Sequence, residues 1–179
     1  MKTVLPFVLG VALLSACGDG KADAAKQMAA QADSAKATAA ASVDLAQFDL
    51  PLTLTPPDKQ LTDGADPTVL WKDEIGKLEV KAGEHFGLTI VEEPGDIARL
   101  KADLDRDLLK KNTVLKETPE LLVYKSEFPD DPSLVFIHFY QVVKAGDRAF
   151  VVEDVQAGMR FTEQDVERMT AAVGPKLPA

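Results

Sequence analysis

The chain has 179 residues but only one cysteine, Cys17, and two histidines, His85 and His138. A lone thiol cannot close an internal disulfide, so a cross-linked secreted scaffold is excluded. Basic residues are also scarce: 20 Lys and Arg stand against 29 Asp and Glu, a formal charge of −9. A surface of that sign repels phosphate backbones, which argues against a nucleic-acid partner. The longest apolar stretch, residues 4–14, falls well short of the roughly 20 residues of a membrane-spanning helix. The sequence also lacks H-E-x-x-H, C-x-x-C, a Gly-rich phosphate loop and G-x-S-x-G, so it supplies no metal, cofactor or nucleophile signature.

What is present has the composition of a globular protein, 46% hydrophobic and 27% charged, with room for one domain of roughly 100 to 200 residues. Residues 1–16 have the layout of an export signal. Lys2 supplies the positive end, residues 4–14 are apolar apart from Pro6 and Gly10, and the small residues Ser15 and Ala16 follow. Leu14-Ser15-Ala16-Cys17 resembles the lipobox of bacterial lipoproteins. The resemblance implies a diacylglyceryl group on Cys17, cleavage before it, and further acylation, such as palmitate, of the new amino terminus. Several acyl chains anchor a protein stably, at about 0.8 kcal/mol per buried CH₂. In enterobacterial lipoproteins an Asp directly after the lipidated Cys favours the inner membrane. Here Gly18 holds that place and Asp19 follows, which implies the periplasmic face of the outer membrane.

Residues 17–47 are dominated by Ala, Lys, Asp, Gln and Ser, with no aromatic residue. They read as a lipidated terminus and an Ala-rich linker, because helix propensity is high but a stripe of large apolar residues is missing. From Phe48 the pattern changes. Phe48, Leu50, Leu52 and Leu54 alternate with polar residues and Pro51, which predicts a strand whose proline keeps it at a sheet edge. Further strands are predicted over residues 69–72, 76–81 and 86–92. A helix capped by Asp96 should follow, with Ile97, Leu100, Leu104 and Leu108 as its apolar stripe and residues 110–112 closing it. Strands are then predicted over residues 113–116, 121–126, 134–144 and 148–154. The third of these is apolar on both faces and so belongs mid-sheet. Thr162 and Asp165 form a capping box for a last helix, which buries Val166, Met169 and Val173 and stops at Gly174-Pro175.

This order predicts one α+β domain over residues 48–177, an antiparallel β-sheet flanked by helices in the manner of an αβα sandwich. The hairpin over residues 134–154, the helix over 161–173 and, more loosely, the opening segment 48–57 resemble the Mog1/PsbP-like superfamily. That resemblance implies an antiparallel sheet sandwiched by helices. Its members have varied roles, so it implies no single function.

The candidate chemical residues are few. His138 lies between Ile137 and Phe139, where a hydrogen-bonded core histidine is expected, and His85 is expected at the surface. Asp103, Asp105 and Asp107 imitate the start of a calcium loop, but Leu108 stands in place of its glycine. Trp71 is expected to pack on the sheet. The expectation is therefore a membrane-tethered, non-catalytic cell-envelope protein, an interaction module for another envelope protein. The alternative is an envelope enzyme or small-ligand-binding protein with a pocket near His138.

Overall fold

A computed structural model describes residues 42–156 and 158–176, which belong to one compact unit, Ala39–Ala179. Cys17 and its lipobox lie outside the described residues. The strands are β1 (Val43–Asp44), β2 (Leu52–Leu54), β3 (Thr68–Lys72), β4 (Lys77–Ala82), β5 (Phe86–Glu92), β6 (Lys111–Thr118), β7 (Leu121–Phe128), β8 (Asp131–Ala145), β9 (Arg148–Asp154) and β10 (Val173–Pro175). Helix α1 (Ile97–Arg106) falls between β5 and β6, and α2 (Glu163–Ala172) between β9 and β10. Every strand pairing is antiparallel. A seven-stranded sheet has the order β3-β4-β5-β9-β8-β7-β6, and a small sheet the order β1-β2-β10. The class is α+β, as the pattern of elements predicts.

Alternation along β8 explains how one sheet supports two cores. Ile137, Phe139, Val143 and Ala145 enter a large core with Leu52, Leu54, Phe86, Ile90, Phe150 and the α2 residues Val166 and Met169. Tyr140 and Val142 point the other way and join Leu122, Tyr124 and Val151, against which Ile97, Leu100 and Leu104 of α1 pack. Period-2 geometry sends successive side chains to opposite faces, so a strand apolar at nearly every position must be covered on both.

Local signals set the helix ends. Asp96 accepts a hydrogen bond from the Arg99 N–H at 2.8 Å, and the reciprocal Thr162–Asp165 capping box is formed. Gly95 makes the turn into α1 at φ +67°. A Cβ there would sit 2.5 Å from Val142 Cγ2, so only glycine lets the chain pass this close to the sheet.

Three expectations are corrected. Leu108 is not part of the α1 stripe: the helix ends at Arg106, Asp107 turns the chain by accepting from the Leu109 and Lys110 N–H groups, and Leu108 is 96% exposed. The segment from Phe48 is not a continuous edge strand. Leu45–Phe48 is a 3₁₀ turn capped by Asp44, Pro51 precedes β2, and β2 is the middle strand of its sheet. Finally, α2 stops at Ala172, and Gly174-Pro175 belongs to β10 beside β2. Ordered pairing also reaches back to Val43, opposite Leu54, and Leu45 is fully buried.

Candidate functional site

Both histidines are held by aspartates distant in sequence. β8 and β9 stop pairing at Tyr140–Glu153, and beyond that point the Asp154 carboxylate takes over the ladder's role. Its Oδ1 accepts from the Phe139 N–H at 2.9 Å, and its Oδ2 lies 2.8 Å from His138 Nδ1. A carboxylate can only accept, so Nδ1 carries the proton in this pair. Phe136 stacks on the imidazole with ring centroids 6.1 Å apart, and Tyr124 leans on it at 5.1 Å. Burial, followed by the charges of Asp154 and Glu153, pushes the Tyr124 phenol up and keeps it protonated. Glu153 is also raised, first by burial and then by Asp154.

An imidazole oriented by a buried carboxylate is half of an acid–base relay. Solvent access to His138 is small. His138 is 9% exposed, and none of four clefts on the described residues is lined by it. The expected hydrogen-bonded core histidine is what the structure contains. Its partner Asp154 is not legible in the sequence, because a strand-terminal Asp carries no signal for a hydrogen-bond partner sixteen residues away.

His85 is half-exposed, as expected, and its Nδ1 lies 3.3 Å from Asp165 Oδ2. Asp165 is buried, and it also accepts from the Thr162 N–H and hydroxyl and from Arg168. Burial pushes its carboxyl up, but these hydrogen bonds outweigh burial and hold it below the ordinary range. An open cleft of about 350 Å³ lies against His85, Gln60, Gln164 and Arg168. Because the Asp165 carboxylate already serves four donors, it orients His85 and fixes α2 without remaining free to act as a base.

The other candidates do not converge. Asp103 pairs with Arg99 and Arg106, Asp107 caps a turn, and no metal-binding group of three or more His, Cys, Asp or Glu occurs among the described residues. Trp71 stacks on Phe48 at 6.0 Å against the large core, in the sheet-packing role expected of it.

The feature that sequence reasoning missed is an edge. β6 closes one side of the seven-stranded sheet, and every residue in it except Asn112 is exposed. Four of the eight exposed large apolar residues among the described residues fall within residues 108–115: Leu108, Leu109, Val114 and Leu115. Lys110, Lys111 and Lys116 flank them, and none has an ion-pair partner among the described residues. A sheet edge offers unpaired backbone donors and acceptors, and exposed apolar clusters mark interaction surfaces. The class these features define is an α+β domain whose β6 edge carries no further strand among the described residues and is lined by lysines and apolar side chains. No family model, curated protein or solved structure matches the chain. No described helix is long and apolar enough to cross a membrane.

Proposed function

We propose that this chain is a lipid-anchored protein of the bacterial cell envelope whose α+β domain is a non-catalytic protein-interaction module. Cys17 supplies the anchor at the periplasmic face of the outer membrane, residues 17–47 give reach, and the domain binds another envelope protein. The observation that carries the interaction reading is the run of four large exposed apolar side chains along residues 108–115, Leu108 and Leu109 in the turn before the edge strand β6 and Val114 and Leu115 within it. Removing their remaining apolar surface from water is favourable, by roughly 25 cal/mol per Å², which gives a partner a reason to cover them. The enclosure of His138 also weighs on this side, since a general base must reach its substrate.

The finer architecture belongs to this proposal too. One helix on each face of the sheet, and a long β8–β9 hairpin followed by α2, support a relationship to the Mog1/PsbP-like superfamily. A second reading, ligand binding or catalysis near His138, draws on the His138–Asp154 pair alone. Crosslinking in intact cells, followed by recovery of the tagged chain, tests the interaction reading. A discrete crosslinked species of higher mass is expected, and repeated recovery of the bait alone would overturn the proposal.

A further inference from the structure

Resting on the interaction reading, we infer that the β6 edge accepts an extended, acidic segment of its partner as an eighth strand. The donor geometry is set by the ladder itself. The Val142 N–H donates to the Glu120 carbonyl, so alternate residues of β7 bond to β8 and the intervening ones face β6. With Thr113 opposite Lys125 and Lys111 opposite Glu127, the N–H groups of Lys111 and Thr113 point inward to β7. Those of Asn112 and Val114 point outward. The register shifts between Val114 and Lys116, so the regular stretch open to an added strand is residues 111–114.

Charge selects what is added. The chain carries −9 overall, yet Lys110, Lys111 and Lys116 gather here without ion-pair partners among the described residues, whereas Lys101 and Lys125 nearby are satisfied by Glu117 and Glu127. Edge lysines also serve to discourage strand pairing. That role alone does not account for Leu109 and Val114 standing exposed beside them. Lysines at an apolar edge penalise cationic strands and favour anionic ones, which is discrimination by charge. The opposite edge, β3, differs: its Lys72 is neutralised by Glu79 at 2.6 Å. Strand addition draws affinity from main-chain bonds and specificity from alternate side chains. The fitting ligand therefore alternates acidic residues, opposite Lys111, with aliphatic ones, opposite Val114.

The test uses the full chain in detergent and a fluorescent, end-capped peptide alternating valine and glutamate, with a valine–lysine peptide as control. Saturable binding of the glutamate peptide alone is expected, weakening as salt rises, with hydrogen-exchange protection at Asn112 and Val114. Val114→Pro removes an outward donor and no β7 bond, and should abolish binding. The pair Lys111→Glu and Lys116→Glu should weaken it about tenfold or more. Equal binding of both peptides, no binding, binding that survives Val114→Pro with the circular dichroism unchanged, or self-association through β6 would each overturn the inference. A photocrosslinker at Leu109 or at Ile75, read in cells, separates the two levels. Adducts at Ile75 alone retain an interaction module and reject this edge, and adducts at neither site reject both.

Discussion

At the residue scale, the most informative position is Asp154, which does for β8 what a backbone carbonyl would do if β9 continued alongside. It satisfies the Phe139 N–H and His138 together, so removing it leaves two buried polar groups without a partner. Asp154→Ala is expected to destabilise the domain by about 3 kcal/mol, in the range for leaving buried hydrogen-bonding groups unpaired. Asp154→Asn, which retains an acceptor for the backbone, should cost less. Urea unfolding of the two variants measures both. Glu153 makes the opposite case. Burial and the charges of Asp154 and Glu93, only partly offset by Lys77, hold its carboxyl above the ordinary range. The unfolded carboxyl, with a pKa near ~4.3, therefore ionises before the folded one. Stability falls as pH rises through that window and stays lower above it. Glu153→Gln should raise the unfolding midpoint at pH 7 and change little below about pH 4, as thermal melts at the two values would show.

At the scale of elements, the sequence was read correctly where the determinant is local. The Asp96 cap, the Thr162–Asp165 box and the both-faces-apolar β8 each depend on residues within a few positions of one another. The end of α1 departs from the sequence pattern: Leu108 continues the helical spacing, but the Asp107 side chain, by capping the next turn, stops the helix at Arg106. The missing donor of Pro51 predicts an edge position. Yet the structure sets it just before β2, where its carbonyl accepts from the Lys176 N–H and no donor is needed. Gly95 ties the two scales together, since the turn it makes seats α1 on Val142 and Val151. Gly95→Ala should be destabilising by about 2 kcal/mol or more, because it adds a strained positive φ to a clash in a packed region. Guanidinium denaturation checks this, and an unchanged midpoint would show that the sheet yields easily there.

At the scale of the whole molecule, the proposal divides the chain into an anchor, a reach and a working domain. Cys17→Ser is expected to abolish palmitate labelling and to leave the precursor uncleaved, which metabolic labelling and gel mobility would report. The α+β class and the helix caps could be read from the sequence alone, because each is written in contiguous or regularly spaced residues. Only the tertiary structure decided that both histidines rest on distant aspartates. Only it showed that β6 ends the seven-stranded sheet with Lys111, Val114, Leu115 and Lys116 exposed, and that β10 returns to pair with β2 and complete a second sheet. The physical reason is sequence separation. Strand order and cross-strand contacts depend on which hydrophobic faces meet at the lowest free energy, and local periodicity does not record that choice.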